Sequence, residues 1–262
     1  MNKRIENELK SSPIQTNDEK FQISATTLHV LAMLFMLSDH MWATVIPGRE
    51  WMTCIGRIAF PIFAFMIVEG FFHTSNVKKY MGRMFLFALI SEIPFDYMCG
   101  STAFYPYQQN VLWTFLIALI GLVIMEKVRN GNRLWVTIIV DFLVIVFSFA
   151  LGFLAMVDYY GVGVLTVYTF YFFRRRKWWS LLGQILVLYY LNVEILSGQY
   201  YPIEILGYEL QVVKQGLALL SLVPIWMYRG KQGYHRKWFQ YLCYAFYPAH
   251  ILILVLIRGI IV

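Results

Sequence analysis

Mid-span aspartate and histidine are costly in a hydrocarbon setting, and Asp39-His40 form such a pair inside a long apolar run. Arg57 stands in the next run, and Glu92 and Asp96, one helical turn apart, share a face of the third. Asn110 opens the fourth run after two glutamines, Asp158 stands between the fifth and sixth, and His250 lies in the last. This mixture suits acyl transfer, which needs a base for an amine or hydroxyl and donors or positive charge for the oxyanion. His40 is the natural base, because an imidazole changes protonation near neutrality. Asp39 cannot face it, since neighbouring helical residues point about 100° apart. An orienting carboxylate for His40 is therefore expected from another span, Glu92 or Asp96 by preference, leaving Asp39 to pair with Arg57. Glu92, Asp96, Asn110, Asp158 and His250 are then candidates for binding the acceptor. A purely structural account makes Asp39–Arg57 an interhelical ion pair, His40 a satisfied core histidine, and Glu92/Asp96 pins for a kinked helix.

The elements that must position these groups are membrane helices. The 262 residues are 59% hydrophobic and only 14% charged, whereas soluble domains carry roughly a quarter charged residues. Apolar windows fall at 26–47, 51–72, 80–98, 110–126, 134–155, 159–173, 178–196, 208–228 and 238–261. Most approach the ~20 residues that cross a bilayer. The fold class is therefore all-α, a polytopic transmembrane bundle of about nine spans. The count becomes eight or ten if the fifth and sixth form one broken helix or Gly161-Val162-Gly163 makes a re-entrant turn. Residues 1–23 are polar and read as a cytoplasmic disordered tail, and 24–262 as a single transmembrane domain. Pro61, Pro94 and Pro248 each lie within a span and free the carbonyl four residues earlier.

Charge fixes the orientation. Lys and Arg gather at 3–20, 78–83, 127–133, 174–177 and 229–237, while the alternate connections hold only Arg49. The positive-inside rule then puts the N-terminus in the cytoplasm. The net charge of +7 thus reports topology, and no nucleic acid is expected as a partner. Lys78, Lys79, Arg83, Arg174 and Arg175 make a basic rim suited to the phosphates of CoA, although plain topology also accounts for them. Cys54, Cys99 and Cys243 fit no metal or redox spacing, so neither a metal site nor a cysteine acyl-enzyme is expected.

The polar segments resemble the TraX family of integral-membrane proteins, named for a pilin N-acetylase. The resemblance is carried by Ala32-Met33 through Asp39-His40, by residues 56–65 running on to Val68-Glu69-Gly70-Phe71, and by Lys79-Tyr80, Arg83 and 87–96. It continues through Gln109-Asn110-Val111-Leu112, Thr114, Asp158-Tyr159 and Gly163-Val164-Leu165. It ends with Tyr228, Gly230, Lys231, Gly233, Lys237-Trp238, Tyr241 and Phe246-Tyr247-Pro248 with His250. The family implies a membrane acetyltransferase of the bacterial cytoplasmic membrane. Acetyl-CoA is the implied acyl donor, and the acceptor is a small molecule, peptide or pilin-like amine or hydroxyl, with membrane lipid as surroundings. Asp-Tyr-Tyr-Gly at 158–161 carries one residue more than the family's Asp-Tyr-Gly spacing. The competing class is a transporter or proton-coupled channel using the same buried ionisable residues. Evident internal repeats, which many transporters show, are missing. A third class is a lipid-binding assembly factor without acyl-CoA turnover.

Overall fold

The computed structural model describes residues 22–131, 133–205, 207–234 and 236–261, so most of the polar segment 1–23 lies outside the described residues. Helix α1 (Ala25–Thr44) starts where the Ser24 side chain accepts from the Thr27 amide at 3.1 Å. It is followed by α2 (Glu50–Gly56) and α3 (Ala59–His73), two halves of one apolar stretch broken at Arg57-Ile58. Pro61 sits in the first turn of α3, where its missing N–H deprives the helix of nothing. Helix α4 (Val77–Gly100) is capped by Asn76, and α5 (Val111–Arg129) by Asn110, whose Oδ1 accepts from the Leu112 amide at 3.1 Å. Then come α6 (Leu134–Leu154), α7 (Tyr160–Phe172) and α8 (Trp178–Tyr189), the last running into a π-turn at Tyr190–Ile195.

One sequence expectation changes here, and one open alternative falls. The eighth apolar window does not form one helix. Its first residues, Tyr208–Val213, are a strand (β2) paired antiparallel with β1 (Tyr200–Ile205), with Gly207 at φ +79° in the turn. A 3₁₀ segment, Lys214–Ser221, and a short α9 (Leu222–Met227) complete it. Aromatic and β-branched residues around a glycine turn are a hairpin pattern that hydropathy alone does not separate from a span. The step at Gly161-Val162-Gly163 is not a re-entrant turn, because it lies inside α7; the chain turns earlier, where Met156 and Tyr159 have φ of +52° and +59°. The final helix is α10 (Lys237–Ile261).

Among the described residues, four helical stretches are long and apolar enough to cross a membrane: Glu50–His73, Val111–Arg129, Leu134–Leu154 and Trp238–Ile261. Helices α3 and α7 occupy the centre, where Ile62, Val68, Val164 and Phe170 are fully or almost fully buried against α1, α4 and α5. By contrast, α6 and α10 present Phe142, Phe147, Leu252 and Leu256 outward. In lipid such apolar faces are satisfied, and helix association rests on close steric fit instead of water exclusion.

The connections sort to two ends. At one, Ile23 bridges Tyr228, Arg174 pairs with Glu69, and Arg176 donates to the Ile225 carbonyl. At the other, Gln109 bridges Val157, Lys214 pairs with Glu50, and Arg258 holds the Tyr97 and Met98 carbonyls. The first end carries the basic clusters.

Candidate active site

The break between α2 and α3 puts Arg57 beside α1. Its Nη2 donates to Asp39 Oδ1 at 2.7 Å and to Thr53 Oγ1 at 2.8 Å, and both charged side chains keep about a fifth of their surface exposed. Nη1 reaches Gln215 Oε1 at 3.4 Å; Gln215 donates to Asn192 Oδ1 at 2.9 Å, and Asn192 to the Leu188 carbonyl at 2.8 Å. The pairing needs Gly56, because a Cβ there would lie 2.4 Å from Asp39 Cβ. Asp158 and Tyr159 are close enough to act electrostatically on Arg57, and the Tyr159 ring stacks on Phe60 at 4.2 Å.

His40, one residue on, points elsewhere. Its Nδ1 lies 2.7 Å from Nε2 of His250, and His250 Nδ1 lies 2.6 Å from the Phe246 carbonyl oxygen. The two rings are within 6° of parallel with centroids 4.9 Å apart. With so short an N–N contact, this separation means they meet edge to edge in nearly one plane. The Tyr247 ring stands at 62° to both. Thus the partner of His40 is not Glu92 or Asp96 but a histidine 210 positions away. Glu92 is committed elsewhere: it accepts from Trp113 Nε1 at 2.7 Å and from Asn110 Nδ2, which also binds the Ala88 carbonyl at 2.9 Å. The remaining oxygen, Glu92 Oε1, and Oδ1 of the buried Asp96 have no hydrogen-bond partner. The Asp158 Oδ1 accepts from its own neighbour's amide, Tyr159, at 3.1 Å, and its carbonyl from Thr114 at 2.7 Å.

Below the imidazole pair lies a cavity of about 520 Å³. At the basic end it is lined by Glu69, His73, Lys79, Arg83 and Arg236; deep in the bundle it reaches Met36, Val111, Phe115 and Tyr247. Tyr247 therefore separates the cavity from His40 and His250. Of the five basic residues expected to hold phosphates, Lys79 and Arg83 line this mouth, and Arg174 stands behind it, paired with Glu69 at 2.8 Å and stacked over Phe72 at 4.2 Å. Lys78 and Arg175 do not line it. Arg83 lies over the Tyr80 and Tyr244 rings, and its buried Nε has no hydrogen-bond partner. On the sequence Arg236 is only a topology charge, and Asn192 and Tyr247 are not singled out for the site. Among the described residues no group of three or more His, Cys, Asp or Glu could hold a metal ion, and the three cysteines are free thiols.

The family description "TraX protein" matches residues 24–258, nearly the whole described chain. The chain belongs to the TraX family. It is also 29% identical over 245 residues to "Probable fimbrial assembly protein FimC, serogroup H1" of Dichelobacter nodosus, covering 88% of this chain and 94% of that protein. No solved structure matches the chain. The TraX match encloses the Asp39–Arg57 pair, the His40–His250 pair and the cavity mouth together.

Proposed function

We propose that this TraX-family chain is a multi-pass membrane acetyltransferase with its N-terminus in the cytoplasm, crossing the bilayer about nine times. It moves an acetyl group from cytoplasmic acetyl-CoA to an amine or hydroxyl that approaches from the other side. The observation that carries the reading is the cavity, whose basic mouth and apolar depth end one side chain short of the imidazole pair. Its volume is in the range of small-molecule sites, roughly 300–1,000 Å³. Arg83, with a buried donor lacking an acceptor, suits an acceptor-rich phosphate, with Lys79 and Arg236 beside it. The apolar walls suit the pantetheine arm.

His40 removes the proton as the acceptor nitrogen or oxygen attacks the thioester carbonyl. The carbon–sulfur bond breaks, and the same proton is passed to the departing CoA thiolate. Arg57, whose charge reaches His40, opposes the negative charge on the carbonyl oxygen, and Asp39 and Thr53 fix its fork. In this reading Glu92, Asp96 and Asp158 supply the negative charge for a cationic amine; Asn110 and Trp113 orient Glu92. The kinship with a fimbrial assembly protein favours a pilin-like amino terminus among possible acceptors. The same kinship supports a second reading, an assembly role without turnover.

Sealed vesicles of known orientation test this. Radiolabelled acetyl-CoA supplied on the cytoplasmic side should acetylate an impermeant acceptor, taken from envelope extract, present only on the other side. Failure of wild-type protein to turn over acetyl-CoA leaves the assembly reading. A requirement for both substrates on the cytoplasmic side overturns the transmembrane route.

A further inference from the structure

We infer that His250 is a positioning residue that fixes the tautomer of His40, leaving His40 Nε2 as the bare basic nitrogen. The inference rests on the acetyl-transfer reading for its catalytic meaning, but the proton assignment follows from geometry alone. A carbonyl oxygen only accepts, so the 2.6 Å contact with Phe246 requires a proton on His250 Nδ1. In a neutral ring the other nitrogen, Nε2, then has only a lone pair to offer. The 2.7 Å contact to His40 Nδ1 therefore requires the proton to sit on His40. A neutral His40 protonated at Nδ1 has an unprotonated Nε2, and that atom makes no hydrogen bond among the described residues. No carboxylate oxygen is hydrogen-bonded to either ring there, so a backbone carbonyl inside α10 does the orienting that an acid performs in the usual triad. The near-coplanar rings, backed by Phe246 at 4.7 Å and by the Tyr247 edge, hold this line straight.

Magic-angle-spinning NMR of the full chain in lipid, with ¹⁵N-labelled histidine, tests the assignment without any turnover. Signals are assigned by their loss in His40→Gln and His250→Gln proteins. Both rings should report protonated Nδ1 and bare Nε2. Protonated Nε2 on His40, or a doubly protonated His250, overturns the inference. The catalytic consequence is tested separately by two substitutions at 250. His250→Gln keeps an acceptor for His40 and a donor for the carbonyl, and should retain turnover within about tenfold. His250→Phe keeps the aromatic packing but no acceptor, and should lose about a hundredfold. The reverse order makes His250 a packing residue. If wild-type protein shows no transfer, the proposed function fails while the spectra still decide the proton assignment.

Discussion

At the scale of single residues, the site separates an ion pair and a histidine pair that the sequence runs together. Asp39 and His40 are adjacent, yet one binds Arg57 at 2.7 Å and the other binds His250 at 2.7 Å. Helix geometry dictates this, because successive side chains leave the axis in different directions. The division of labour gives distinct outcomes on substitution. His40→Ala should lower the turnover number by about 10²- to 10⁴-fold, the usual worth of a general base, with binding of CoA unaltered. Arg57→Lys should also be severely impaired, because an ammonium cannot hold Asp39, Thr53 and Gln215 in one planar fork. Steady-state kinetics alongside direct CoA binding would separate these effects. Near-normal turnover by His40→Ala would make that histidine structural.

At the scale of elements, the close approach of α1 to α2 sets the Asp39–Arg57 pair, and Gly56 is what permits it. Ser38 reinforces the contact by donating to the Met52 carbonyl at 3.1 Å. A methyl at Gly56 would fall on Asp39 Cβ and carboxyl atoms at 2.4–2.7 Å, so the helices must separate. Gly56→Ala should therefore cost about 1–3 kcal/mol in overpacking and lose transfer activity with it. Gly82→Ala is the matched control. That position, in the second turn of α4, has no atom within 4 Å of a new Cβ, so the protein should be unaffected or stabilised by about 0.5–1 kcal/mol. Thermal unfolding in detergent reads both. Equal behaviour of the two variants would show that the α1–α2 contact is not tight. The hairpin at 200–213 acts at the same scale, because Lys214 follows β2 directly and its pairing with Glu50 brings Gln215 to Arg57.

Over the whole molecule, the two ends of the bundle differ in charge and in what they enclose. The basic end holds the cavity mouth, closed on one side by the 228–234 segment, whose Lys231 carbonyl accepts from the Ala25 amide at 2.8 Å. The proposed orientation predicts how each end meets reagents. In a protein with Cys54, Cys99 and Cys243 replaced by serine, single cysteines at the exposed positions 101 and 200 should react with an impermeant thiol reagent in intact cells. A cysteine at Lys231 should stay silent until the membrane is opened. Labelling at 231 with silence at 101 would invert the topology and, with it, the side from which the donor enters.

The helical, membrane-suited character was legible in the sequence because it depends on sums: apolar content over windows and basic residues on alternate connections. The family was legible for a related reason, since its segments are short, contiguous and polar where their neighbours are not. Asp39–Arg57 could be anticipated from depth along two neighbouring spans. The partner of His40 could not. It comes from 210 residues away, and choosing between His250 and the carboxylates of α4 depends on rotations of α4 and α10 that no local pattern encodes. Glu92 was equally well spaced to serve His40, but Asn110 and Trp113 claim it once α5 packs against α4. The cavity also belongs to the tertiary structure, because its mouth is assembled from α3, α4 and the segment before α10. The eighth window shows the limit from the other side. Its hydropathy is that of a span, but backbone pairing with Tyr200–Ile205 makes its first residues a strand, and pairing is a relation between segments, not a property of either.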